Sequence, residues 1–204
     1  GIIILSVETY YTITKATEGL YKEKGSKFIS FAFPVQTLDE VKKIVADKRK
    51  EYYDARHVCY AYVLGPEATD FRANDDGEPS GTAGRPILGQ INSKGLTNIL
   101  VIVVRYFGGI LLGTGGLVVA YKQATIDALD QAEIVEKTVD VDFHIQFEYP
   151  LLNDVMRIVK EENLIVLSQQ FELTCEMVLR VRKAIAEKVK GRLSKVERMV
   201  FVEE

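Results

Sequence analysis

Six aliphatic residues in a row, Ile99-Leu100-Val101-Ile102-Val103-Val104, stand between two glycine-dense stretches. An apolar run of this kind, without alternation, reads as the central strand of a sheet. Ten of the fifteen glycines fall between Gly77 and Gly116. Glycine weakens helices and strands, so this density marks structured loops whose backbone takes positive φ or lets something come close. The first is Asp75-Asp76-Gly77-Glu78-Pro79-Ser80-Gly81-Thr82-Ala83-Gly84-Arg85-Pro86-Ile87-Leu88. The second is Arg105-Tyr106-Phe107-Gly108-Gly109-Ile110-Leu111-Leu112-Gly113-Thr114-Gly115-Gly116-Leu117.

The segments around them read clearly. Tyr10 to Ile13 and Phe28 to Val35 are expected strands, joined as a hairpin through Gly25-Ser26. Thr37-Leu38-Asp39-Glu40 is a capping box, which predicts a helix from Leu38 to about Tyr52 with Leu38, Val41, Ile44 and Val45 on its buried stripe. His57 to Leu64 and Asp70 to Ala73 are expected to pair as strands. A helix capped by Ser80 or Thr82 should run to Ser93, with Pro86 in its first turn. Another should run from about Gly115 to Ala132, with Leu117, Ala120, Tyr121, Ala124 and Ala128 inward. The domain boundary falls at Lys137-Thr138, which gives domains of residues 1–137 and 138–204. Beyond it, alternation from Val139 to Phe147 marks a half-buried strand. A helix starting at Pro150 follows, then strands Leu164 to Leu173 and Cys175 to Val181. A helix from Arg182 to Lys190, ended by Gly191, leads to a last strand, Val196 to Val202. This βαββαβ order is that of a ferredoxin-like domain.

Net charge is −3, so no global field draws the chain to nucleic acid or to an acidic membrane, although local patches can. The two cysteines, Cys59 and Cys175, lack metal-ligand or redox spacing and read as buried reduced thiols. The longest apolar run is far shorter than a membrane helix. The opening Gly1 to Leu5 lacks the basic segment of a signal peptide. The expected location is the cytoplasm, with no membrane partner.

Several residues are candidates for chemistry. Gly113, Thr114, Gly115 and Gly116 open a helix whose unpaired amides suit an anion, with Arg105 and Lys122 adding positive charge. Ser80, Gly81, Thr82 and Arg85 belong to the facing loop. The competing reading is that the glycines permit tight strand-to-helix packing. Neither a nucleotide P-loop nor a dinucleotide fingerprint is present. Asp75, Asp76 and Glu78 are candidate oxygen ligands for Mg²⁺, the one cofactor with any sequence support; turn and cap duties, or pairing of Glu78 with Arg85 or Arg105, explain the same residues. His57 has no visible nucleophile partner and reads as a binding or structural histidine. Arg180, Arg182, Lys183, Lys188, Lys190, Arg192, Lys195 and Arg198 form a basic stretch able to track a phosphate backbone or simply to solvate a helix face.

The two glycine blocks, together with Arg56-His57-Val58-Cys59-Tyr60-Ala61-Tyr62 and Lys24-Gly25-Ser26-Lys27-Phe28-Ile29, resemble the YigZ/IMPACT family. The resemblance covers about the first two thirds of the chain. It implies an α+β protein: an N-terminal α/β domain like the second domain of ribosomal protein S5, followed by a ferredoxin-like domain. Val119 stands where the family usually has arginine. Eukaryotic relatives act in translational control by competing for a regulator of the eIF2 kinase pathway. For bacterial members RNA or ribosome association rests on fold analogy. The expectation is therefore an RNA- or ribosome-associated protein without catalysis of its own. The alternatives are a metal-assisted enzyme acting on a phosphorylated small molecule, and a protein-interaction module with a protein partner.

Overall fold

The computed structural model describes residues 7–203. The opening segment read above against a signal peptide lies outside them. The chain divides into two compact units, Thr9–Lys137 and Thr138 onward with residues 7–8. The fold is mixed α+β throughout.

In the first unit, strands β2 (Thr17–Glu23), β3 (Ser26–Pro34), β4 (His57–Leu64), β5 (Asp70–Asn74) and β6 (Ile99–Tyr106) form one sheet in the order β2-β3-β6-β4-β5. Every neighbouring pair is antiparallel. The aliphatic run lies on β6, at the centre. Its residues serve both faces in turn. Ile99, Val101 and Val103 pack with α2 (Gly84–Ser93) and α3 (Gly113–Asp130). Leu100, Ile102 and Val104 pack on the side of α1 (Leu38–Glu51). Side chains of successive strand residues point to opposite faces, so only a run without alternation fills both layers.

Two expectations are corrected here. The hairpin joins β3 to β2, not to Tyr10–Ile13; its two-residue turn is Lys24-Gly25, both at positive φ (48° and 79°), the conformation such tight hairpins need. The segment around Tyr10 is β1 (Thr9–Ile13), which pairs with β7 (Ile134–Thr138). Leu38 is 41% exposed instead of buried, while Val41 and Val45 are buried. The forward half of the capping box forms: Thr37 Oγ1 accepts from the Glu40 amide at 3.2 Å, while the Glu40 carboxylate reaches past Thr37 to accept from Gln36 N at 2.8 Å.

The second unit has the order β8 (Asp140–Glu148), α4 (Leu152–Glu161), β9 (Ile165–Phe171), β10 (Thr174–Arg182), α5 (Ala186–Ser194), β11 (Val200–Phe201). Its sheet runs β11-β8-β10-β9, all antiparallel, as in ferredoxin-like domains. Ile145, Phe147, Met177 and Leu179 face Val155, Ile158, Val189 and Leu193 of the two helices. Gly191 does not end the last helix, which continues through it to Ser194, and the last strand keeps only two residues. Among the described residues no helix is long and apolar enough to cross a membrane.

Candidate functional site

The first glycine loop is organised by its acids. The Asp75 carboxylate accepts from the backbone amides of Gly81 (2.9 Å), Ala83 (3.2 Å) and Gly84 (2.8 Å). It thereby caps α2 from nine residues away. Neither Ser80 nor Thr82 caps the helix: the cap position is Ala83, and the buried Thr82 hydroxyl donates to the Pro79 carbonyl at 2.5 Å. Burial works against ionisation of Asp75, but the amides of Gly81, Gly84 and Ala83 and the charge of Arg85 outweigh it and hold the carboxyl below its ordinary value. Asp76 accepts from Val58 N at 2.7 Å. Its carbonyl accepts from His57 Nδ1 at 2.7 Å.

Glu78 turns inward and is 8% exposed. Arg105 Nη1 reaches both of its carboxylate oxygens, at 2.8 and 2.9 Å. The Tyr121 hydroxyl donates to it at 2.6 Å, and His57 Nε2 lies 3.1 Å away. Cys59 Sγ sits 3.4 Å from that hydroxyl. Burial pushes the Tyr121 phenol and the Cys59 thiol well above their ordinary values, so both stay protonated and neither is a ready nucleophile. The three acids thus point to different partners. No group of three or more His, Cys, Asp or Glu among the described residues is placed to hold a metal ion.

Strand pairing explains why these groups meet. Arg105, at the end of β6, stands opposite Phe28 on one side and His57 on the other. Its guanidinium lies between two rings, 5.4 Å from the centre of Phe28 and 5.5 Å from that of Phe107. Arg56 stacks on Phe107 at 4.8 Å.

Above this buried network the two glycine loops meet. They enclose a cleft of about 260 Å³. Glu78 and Pro79 come from the first loop; Phe107, Leu111, Leu112, Gly113 and Thr114 come from the second. Arg56, His57, Arg105 and Leu117 complete it. The α3 N-terminus opens here, and among the described residues no side chain caps it. Five expected residues therefore share the cleft: Arg105, Gly113, Thr114, His57 and Glu78, the last paired with Arg105. Ser80, Gly81, Thr82, Arg85, Gly115, Gly116 and Lys122 do not line it. Arg105 is 5% exposed and committed to Glu78, so the cation presented to the cleft is Arg56, which is exposed and forms no ion pair among the described residues. Arg56 and Phe107 lie inside the quoted motifs but are not among the site residues expected above.

The glycines divide by role. A Cβ on Gly108 would collide with the backbone of Gly25 and Ser26, so Gly108 permits close packing of two chain segments. A Cβ on Gly115 would meet nothing within 4 Å. Packing does not account for Gly115. Val119 is 49% exposed on α3 and lies outside the cleft.

Half of the basic stretch of the second unit is paired. Arg180 meets Asp142 at 3.0 Å, its register partner on β8. Arg192 contacts Glu161 and Glu162, Lys188 contacts Glu162, and Arg198 contacts Glu148. Arg182, Lys183, Lys190 and Lys195 remain without an ion pair among the described residues, and Lys190 lies over the Phe201 ring. Antiparallel pairing sets Arg180 beside Asp142, and Glu161 and Glu162 at the end of α4 meet Lys188 and Arg192.

Comparisons with known proteins agree with the motifs. A family model described as the Impact N-terminal domain matches residues 24–129. An IMPACT family member from Haemophilus influenzae is 33% identical over 90% of this chain and 91% of its own length. IMPACT family member YigZ from Escherichia coli is 42% identical over 65% of this chain and 66% of its own. A crystal structure described as that of a hypothetical protein superposes with a TM-score of 0.73 at 31% identity, covering 97% of this chain and 98% of the other. The chain belongs to the IMPACT family.

Proposed function

We propose that the chain is a cytoplasmic RNA- or ribosome-associated protein in translational control, without catalysis of its own. One observation carries the binding part: the two glycine loops join in a single cleft where an uncapped helix N-terminus and the exposed Arg56 face the same space. Helix N-terminal amides and a free guanidinium are what a phosphate oxygen requires. The translational part follows from family membership. The absence of a catalytic step is supported by the buried network, where His57, Glu78, Arg105, Tyr121 and Cys59 are engaged with one another. Fluorescence anisotropy with labelled single-stranded RNA tests the reading. Binding is expected to weaken steeply with salt, and Arg56→Glu with Thr114→Glu is expected to weaken it further. RNA binding that is absent, or indifferent to salt, refutes it.

A second reading has its own observation. Phe107, Ile110, Leu111, Val118 and Val119 are exposed on the second loop and on α3 (37%, 54%, 83%, 38% and 49%). An apolar cluster of this kind marks a protein contact. Partners that stay bound after nuclease treatment and are lost with Leu111→Asp would favour an interaction module.

A further inference from the structure

The sheet face opposite α2 and α3 carries a single helix. Five strands about 4.8 Å apart present a face roughly 20 Å wide. One helix, about 10 Å across, covers only half of it. Val41 and Val45 of α1 are buried in one cluster with Tyr62, Leu100 and Ile102, and Lys48 lies over the Phe31 ring at 4.1 Å. The flank of α1 toward β5 stays open. It forms a groove of about 340 Å³ between the helix and the β4–β5 edge. Exposed Leu38, Lys42 and Arg49 form one wall, Tyr60 and Tyr62 the floor, and Arg72 the other wall. This is why Leu38, on the expected apolar stripe, is exposed.

No carboxylate lines the groove. Arg49 has Asp76 at 3.5 Å, while Lys42 and Arg72 form no ion pair among the described residues. In a chain of net charge −3 this is a local reversal of sign. Lys42 and Arg49 are seven residues apart on one helix face, about 10 Å along the axis, with room for more than one phosphate.

We propose that this groove binds single-stranded RNA, with phosphates on Lys42, Arg49 and Arg72 and bases against the half-buried Tyr60 and the exposed Leu38. A cationic channel over aromatic side chains is the common design for single strands. An acidic peptide would use the cations and leave the rings unused. The inference rests on the RNA-associated reading and assigns it a surface separate from the glycine-loop cleft.

The test uses the full chain and labelled oligo-U and oligo-A, read by anisotropy at low and physiological salt. The double variant Lys42→Glu/Arg72→Glu is expected to weaken binding at least tenfold and to flatten the salt dependence, the slope falling by about 0.7 for each phosphate that is no longer neutralised. Tyr60→Leu is expected to weaken binding at least threefold at an unchanged slope. Lys43→Glu, exposed on the same helix but outside the groove, should change affinity less than twofold and so controls for net charge. Circular dichroism verifies that each variant is folded. If the double variant binds like the parent while Arg56→Glu abolishes binding, the groove assignment is overturned and the RNA reading stands. If the parent chain binds no RNA, both fall. If polyglutamate binds in the groove and the oligonucleotides do not, the site is one for acidic protein and the proposal fails.

Discussion

Glu78→Gln should be among the most damaging single changes in the first unit, although it removes no atom from the core. The glutamate side chain is 3% exposed and the Arg105 side chain 6%. Glutamine preserves the volume and one acceptor oxygen but leaves the Arg105 charge buried without compensation. Arg105 Nε has no partner among the described residues, and apart from Glu78 the guanidinium reaches only the neutral Ser26 hydroxyl, at 3.4 Å, which cannot balance its charge. Removing one member of a buried pair costs about 3–5 kcal/mol. Against a total stability of about 5–15 kcal/mol this is a large share. For a unit of this size it corresponds to a fall in Tm of roughly 10–20 °C. The assay is natural to this chain. It has no tryptophan, and nine of its ten tyrosines lie between Tyr10 and Tyr121, so tyrosine fluorescence follows the first unit while circular dichroism follows both. Adding Arg105→Met to Glu78→Gln should recover at least about 2 kcal/mol relative to the sum of the single changes, since neither charge is then stranded. A loss below about 1 kcal/mol for Glu78→Gln, or additive behaviour in the double variant, would show that the pair is hydrated and that Arg105 is free to meet a ligand after all.

Asp75→Asn should cost about 1–2 kcal/mol at neutral pH, as expected of a lost charged cap. The carboxyl is held low in the folded state, so its contribution is fully present above the unfolded value of about 3.9 and disappears as pH falls through the folded value. Urea titrations of parent and variant should therefore converge in acid; a gap that persists at the lowest pH where both fold would contradict the assignment. The glycines give a paired prediction. Gly108→Ala drives a methyl into the Gly25–Ser26 backbone and should destabilise by several kcal/mol. Gly115→Ala enters open space on a helix and does not reach the cleft, so it should stabilise by about 0.5 kcal/mol and leave RNA affinity unchanged. A loss of stability, or a clear loss of RNA affinity, would contradict that placement.

What was legible in the chain was what neighbouring residues decide. The unbroken aliphatic run placed β6 at the centre, and the capping box placed the start of α1, because each signal lies within the element it describes. β2 went unread: Thr17–Glu23 offers little apolar alternation, and Gly19 in its middle argues against a strand. That glycine has a reason visible only in three dimensions, since a Cβ there would lie 2.5 Å from Ala128 N. The start of α2 was misplaced for the same kind of reason, its capping oxygen belonging to Asp75 in the preceding loop. Charges were hardest to read. Arg105 and Arg180 look like binding residues when cations are read one by one, yet each is matched by an acid that only folding brings near, Glu78 across 27 positions and Asp142 across 38. A sequence counts charges but does not pair them. Among the cations left over after pairing, Arg56 lines the cleft and Lys42 and Arg72 line the groove. None of the three stands inside the glycine signatures. The signatures build the scaffold that presents Arg56, and a sheet wider than its one covering helix leaves Lys42 and Arg72 open, so binding residues on this fold are to be sought at the borders of its conspicuous motifs.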